Sequence, residues 1–188
     1  MRTLLSDRRI DYDGSQLRSG WLAGIFALAP DAEGAIAAFV GGCDVSPEFV
    51  VDREEAASGE PIRAALMLHF VAEFPEHDLE KAVLRQRLLA AVARDELAVR
   101  APGRSFTRRG DDLYEGAYKL SVSVATLSPA SALVHFALDV DPAGAPVPAR
   151  GLADYGVDPR ELARAVLEAY ARETGSVRAA TRKVRFVE

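Results

Sequence analysis

The sequence is poor in the residue types that would make several functional classes easy to recognise. It has one cysteine, Cys43, and three histidines, His69, His77 and His135. A Cys/His zinc cluster and a disulfide framework are therefore both excluded, and a reducing compartment is favoured. Cations are not in excess: the formal net charge is −5, which leaves no electrostatic footprint for duplex nucleic acid. No apolar run approaches the roughly 20 residues of a membrane-spanning helix, and Met1 to Asp11 carries charges where a signal peptide needs its apolar stretch. No Ser/Gly-rich or Pro-rich linker divides the chain, and nothing repeats at a fixed period. These absences lead to the expectation of one domain over residues 1–188. It would lie in the cytoplasm, with a small-molecule ligand as partner rather than nucleic acid or membrane, and its oligomeric state is left open.

What is present is enough for a core: 49% of residues are hydrophobic and 27% charged, the balance of an ordinary globular domain. Three of the 23 basic residues are lysines, Lys81, Lys119 and Lys183. Where arginine is the habitual cation, a lysine inside a strand-like segment points to a need for a compact ammonium, because the two side chains are not interchangeable at a reacting centre.

Along the chain, Thr3–Asp7 and Arg9–Gly14 read as two short strands around a turn, and Trp21–Leu28 with Ala35–Val40 as a hairpin. Residues 46–61, rich in acids and turn formers, read as a long loop. Met67–Phe74 alternates as a strand, with Leu68, Phe70, Ala72 and Phe74 on its core face. Asp78 caps a helix whose apolar residues Leu79, Val83, Leu84, Leu88, Val92 and Leu97 follow helical spacing. Gly103 and Gly110 bound a basic loop. A second long helix starts at Asp158-Pro159-Arg-Glu161 and is expected to stop near Gly175, leaving Ser176–Glu188 for a final strand. Strand pairs mixed with two long helices predict an α+β fold, a largely antiparallel sheet with helices on one face.

The strongest strand pair is Tyr118–Leu127 with Ala132–Asp141, joined by Ser128-Pro-Ala-Ser131. The register that keeps Leu120, Val122 and Val124 in the core with Val134, Phe136 and Leu138 brings Lys119, Ser121, Ser123, His135 and Asp139 together on the opposite face. That polar face is either a solvated exterior or the wall of a site.

The segment Gly110-Asp-Asp-Leu113, followed by Tyr-Glu-Gly116-Ala-Tyr-Lys119-Leu-Ser121, resembles a stretch of the lipoate and biotin protein ligases. In those enzymes an Asp-Leu precedes a glycine and then a lysine, which is followed by an apolar residue and a serine or glycine. Across the chain, Ser6–Leu17, Gly41-Gly-Cys-Asp44, Leu68-His-Phe70 and Lys119-Leu-Ser121 look like an uncharacterised bacterial and archaeal family known as domain of unknown function 366. The resemblance implies a fold of the biotin/lipoate ligase, class II synthetase type. It also implies that Lys119 is the catalytic cation, binding the carboxylate of an acid substrate and the α-phosphate of ATP, with ATP and magnesium as the implied cofactors. Ser121 and Ser123 would donate to the ligand, and Asp112 would hold the approach loop or a magnesium ion. His135 would line the same surface. Gly41 and Gly42 stand where the lipoate ligases carry a paired arginine and a triple-glycine loop contacting the nucleotide.

A fixed cation between two anions is what carboxylate activation requires, since it lowers their repulsion and stabilises charge developing at phosphorus. The expected function is therefore binding or activation of a small carboxylate or nucleotide-like ligand. The alternative is a non-catalytic ligand-binding or assembly protein with a degenerate nucleotide site. Ser123, His135 and Asp139 also contain the atoms of a hydrolytic triad, but no Gly-x-Ser-x-Gly turn lifts the serine from its sheet. Cys43 has no basic neighbour to activate it and reads as structural. The cations of the tail, Arg178, Arg182, Lys183 and Arg185, read as a charged edge rather than a nucleic-acid surface.

Overall fold

The computed structural model of the protein describes residues 1–187. Its main sheet has five strands: β1 (Arg2–Leu5), β2 (Ala35–Asp44), β3 (Arg63–Phe74), β7 (Ser121–Leu127) and β8 (Ala132–Asp141), in the spatial order β1-β2-β3-β8-β7. Only β1 and β2 pair in parallel; the other three pairings are antiparallel. Two long helices, α3 (Leu79–Arg100) and α4 (Pro159–Arg182), cover one face. The fold class is thus the α+β arrangement expected. Short strands β4 (Thr107–Arg109), β5 (Asp112–Glu115) and β6 (Tyr118–Lys119) form a second, three-stranded sheet. The basic loop between Gly103 and Gly110 therefore already contains the first strand of that small sheet.

Beneath α3 and α4, Leu68, Phe70, Phe74, Phe136 and Leu138 are buried from the sheet side. The helix surface that meets them is not the expected leucine stripe. Ala82, Gln86, Leu89, Ala90, Ala93 and Leu97 face inward, while Leu79 and Leu84 are exposed. Alanines let the helix backbone approach the sheet closely, so a face of small residues wins over a face of large ones. Helix α4 runs through Gly175 to Arg182, because one glycine weakens a long helix by only about 1 kcal/mol. The expected final strand does not form over 176–187, and Glu188 lies outside the described residues.

The opposite face of the sheet is buried as well, under chain segments rather than long helices. Phe39, Met67, Val71 and Ala137 pack there with Tyr12, Trp21, Leu22 and Leu28. The hairpin expected from Trp21–Leu28 is instead a short helix, α1 (Trp21–Phe26), between Gly20 at φ 76° and Ala27 at φ 52°. Glu73, buried on β3, fixes its start: the carboxylate accepts from Gly20 N at 3.1 Å and from the hydroxyls of Ser19 and Ser131 at 2.8 Å. The opening residues do not pair with each other. Strand β1 lies beside β2, and the 10–12 segment passes the far end of β2 through the bridge Tyr12↔Cys43. Residues 46–61 contain a 3-10 turn at Pro47–Phe49 and a helix, α2 (Arg53–Ser58), capped by Asp52, which accepts from the amides of Glu54 and Glu55.

The hairpin β7–β8 is present, but its register differs by one residue from the expected one. Ser121 lies opposite Leu138, Ser123 opposite Phe136 and Val124 opposite His135. The serines therefore share the α3 side, and Val122 and Val124 share the second face with His135 and Asp139. The chain bends at Leu120, where it leaves the small sheet for the large one, and this shifts the alternation. The slip is tolerated because both displaced sets find partners. Gln86 of α3 donates to Ser123 Oγ at 2.7 Å, and Val122 packs into the second cluster.

Candidate functional site

Lys119 is placed by its backbone. Its amide donates to Pro148 O at 3.0 Å and its carbonyl accepts from Arg150 N at 3.0 Å. These bonds fix the Cα at the crossover between the two sheets, just before Asp139 N binds Leu120 O at 2.9 Å. The side chain is three-quarters buried and its Nζ lies 2.8 Å from Asp112 Oδ2. Asp112 in turn accepts from Ser121 Oγ at 3.3 Å, and that hydroxyl accepts from Leu113 N at 2.8 Å. Asp112, Lys119 and Ser121 thus form one connected unit, in which the serine holds the aspartate and the aspartate holds the lysine.

Burial alone would pull the Lys119 ammonium down from its ordinary pKa, but the Asp112 carboxylate outweighs it and moves the value up. Lys119 is therefore a permanent cation. Burial shifts Asp112 itself upward, against the opposing pull of Lys119.

Lys119 borders a hollow of about 110 Å³ between the second face of the sheet and α2. Its other walls include Met67, Val122, Asp139, Ile62 and Glu55. A smaller hollow of about 30 Å³, lined by Tyr12, Val45, Phe49, Val124 and His135, adjoins it and shares Glu55, Ile62 and Val122. The first hollow carries the Lys119 ammonium, and the second sets Tyr12 and Phe49 among valines, with Asp52, Glu55, Ser123 and His135 also at its walls. Burial pushes Asp139 up to about 7, with Lys119 opposing the shift and Asp141 adding to it, and burial also raises Glu55.

The remaining expected site residues are spread over the sheet. His135 borders the smaller hollow and is tied through His69 to Gly41: His69 Nδ1 lies 3.1 Å from His135 Nε2, and His69 Nε2 lies 3.3 Å from Gly41 O. A carbonyl only accepts, so His69 donates through Nε2 and receives His135 Nε2–H at Nδ1. Burial pushes His69 down to about 4 and His135 well below its ordinary value, so both rings are neutral at pH 7. Tyr12 stacks on His135 with ring centroids 3.8 Å apart, and Phe39 stacks on His69.

Gly41 and Gly42 face the 10–12 segment rather than the hollow. A Cβ on Gly41 would lie 1.8 Å from Ile10 O, and Gly42 N already donates to Asp11 Oδ1 at 2.7 Å. The Ser123 hydroxyl is engaged by Gln86 on the α3 side, away from His135 and Asp139, so Ser123, His135 and Asp139 do not assemble as a triad. Cys43 is buried, and burial pushes its thiol up to about 12.

ATP, which the ligase resemblance implies together with magnesium, does not fit these residues. The Gly42 amide is occupied by Asp11, and a hollow of about 110 Å³ has room for a fragment of a few heavy atoms rather than for a nucleotide.

Sequence reasoning missed Glu55 and Tyr12; it put Asp139 on the polar sheet face with Lys119 and gave it a role of its own only as a hydrolytic residue. Asp139 had a legible signal, a carboxyl set between Leu138 and Val140 inside an otherwise apolar strand. Glu55 lay in a segment read as loop, and nothing in the sequence joined Tyr12 to His135.

Comparison with known proteins agrees with this geometry at the level of the fold. A protein from Pyrococcus horikoshi, described only as of unknown function, superposes with a TM-score of 0.92 at 37% identity, covering 100% of both chains. An Aquifex aeolicus biotin protein ligase mutant with bound biotin gives a TM-score of 0.59 at 14% identity, over 92% of this chain and 69% of that one. A T. acidophilum protein assigned provisionally to the lipoate protein ligases, with lipoic acid bound, gives 0.56 at 13% identity over 93% and 85%. Likeness at such low identity shows a shared fold and nothing about activity. An uncharacterised protein of Methanocaldococcus jannaschii is 32% identical over 182 residues, 93% of this chain and 80% of that protein. No helix among the described residues is long and apolar enough to cross a membrane. The family model described as domain of unknown function (DUF366) matches residues 1–185, and the chain belongs to that family.

Proposed function

We propose that the protein binds a small carboxylate ligand in the hollow between the sheet and α2, with the Lys119 ammonium as its charge partner. One observation carries this reading: Lys119 is held by its backbone at the wall of a partly open hollow, with its charge kept on by Asp112. A compact cation fixed in a partly shielded hollow attracts an anion more strongly than the same group in bulk water, because water screens it less. The volume favours the carboxyl end of a small acid over a nucleotide. Solved neighbours with biotin or lipoic acid bound support a carboxylate as the ligand's polar end. The adjoining aromatic hollow, with Tyr12 and Phe49, would receive its apolar part. The reading is of binding, without an adenylation step.

Titrating the protein with short-chain carboxylates, biotin and lipoic acid by calorimetry tests it. At least one should bind, and Lys119→Met should weaken that ligand by about tenfold or more, the scale of a lost charge-assisted hydrogen bond. Because Lys119→Met leaves the Asp112 carboxylate without its partner, the free protein should also lose stability, and the affinities are compared at a temperature where both proteins are folded. Equal affinity in Lys119→Met would return the lysine to a purely structural partnership with Asp112.

A further inference from the structure

Lys119 is surrounded by more negative charge than it can neutralise. Asp112 already pairs with it at 2.8 Å, and Glu55 and Asp139 line the same hollow. Asp139 is the anomaly. It is 6% exposed, it borders the hollow, and nothing among the described residues donates a hydrogen bond to its carboxyl, whose oxygens open to the hollow rather than being sealed in the core. Buried carboxyls are normally satisfied, as Glu73 is elsewhere on this sheet by Ser19, Gly20 and Ser131. Above about pH 7, where Asp139 is ionised, a plain carboxylate entering here would meet the Lys119 ammonium and also the Asp139 and Glu55 oxygens, and repulsion from the latter would offset much of the attraction. The acidic groups are not arranged for a metal ion, since among the described residues no three potential ligands converge.

We propose that the ligand is an amino acid in the broad sense, a small molecule with a carboxylate for Lys119 and a protonated amine for Asp139. The inference rests on the reading of the hollow as a carboxylate site and names the class of acid it takes. The ammonium supplies the donors that the Asp139 carboxyl lacks, and Glu55, on the α2 side, adds negative potential without having to touch it. Together the two ends of such a ligand leave the hollow close to neutral, which neither a simple acid nor a simple amine achieves.

Pairs of equal size that differ only in methyl against amine separate the alternatives: propionate with glycine, butyrate with β-alanine, and valerate with γ-aminobutyrate, each measured by calorimetry on the full chain near pH 8, where Asp139 is ionised. At least one amine-bearing member should bind about tenfold more tightly than its partner. Asp139→Asn, nearly isosteric, should remove that preference while leaving the affinity for the amine-free acid equal or improved. If the acids bind but the pairs are equal, or if the preference survives in Asp139→Asn, the amine assignment is wrong and the carboxylate site stands. If no member of any pair binds, both readings fall. The wild-type comparison is decisive without the variant, and Asp139→Ser repeats the test should the asparagine protein fail to fold.

Discussion

Asp139→Asn should make the free protein more stable, by about 2–4 kcal/mol near pH 8, which for a chain of this size raises the melting temperature by roughly 5–10 °C. The carboxyl is buried on β8 opposite Met67, with no hydrogen-bond donor among the described residues, and burial carries it from its ordinary 3.8 to about 7. Because the folded-state value is raised, the folded protein holds a proton that the unfolded chain releases across that interval. Stability attributable to Asp139 is therefore highest at low pH, declines as pH rises from about 4, and is fully lost above about 7. The charged and titratable groups near it are Lys119 from β6, Cys43 from β2 and Asp141 from its own strand, with Glu55 of α2 and Arg63 of β3 lining the same hollow. Asparagine takes no part in this titration, so the difference between variant and wild type should vanish in acid and grow toward alkaline pH. Denaturant melts of both proteins across that range provide the check. A pH-independent difference, or a destabilised variant at alkaline pH, would mean that Asp139 is hydrogen-bonded after all. A residue whose removal stabilises the fold is held for another reason, and ligand binding is the one offered here.

Gly41→Ala should destabilise the protein by about 3–5 kcal/mol, whereas Gly42→Ala should cost less than about 1 kcal/mol. The contrast comes from backbone approach. The added methyl at position 41 would lie 1.8 Å from Ile10 O and 2.4 Å from Ile10 C, both main-chain atoms of the segment that carries Tyr12. At position 42 the nearest atom is Asp11 Oδ1 at 3.4 Å, an ordinary contact. Relief at position 41 requires the 10–12 segment to move away from β2, breaking Ile10 N→Val40 O and Tyr12 N→Gly42 O and unstacking Tyr12 from His135. Chemical denaturation measures both variants, and equal effects would contradict this account of the glycine pair. Whatever else these glycines do, their first requirement is steric.

The sequence carried the sheet-and-helix plan clearly and the second face poorly. Strands β3 and β8 and the starts of α3 and α4 announced themselves by alternation, by Asp78 and Asp158 as caps, and by Pro159. The β7 register was not legible, because it depends on the bend at Leu120 and on Gln86 reaching Ser123 from a helix 37 residues away in sequence. Trp21–Phe26 looked strand-like because its composition is apolar; the helix is imposed by Gly20 and by the Glu73 carboxylate. At the site, the local motif placed Asp112, Lys119 and Ser121 together, and they do touch. The hollow itself was not readable, since its roof is α2 and its floor comes from four strands that meet only in the folded chain.

A crystal structure grown with the tightest-binding amino acid from the matched pairs tests the central claim most directly. The ligand should lie between the sheet and α2, its carboxylate within hydrogen-bond reach of Lys119 Nζ and its ammonium against the Asp139 carboxyl. A ligand bound elsewhere, or a hollow closed by side chains with Lys119 turned out to solvent, would contradict it.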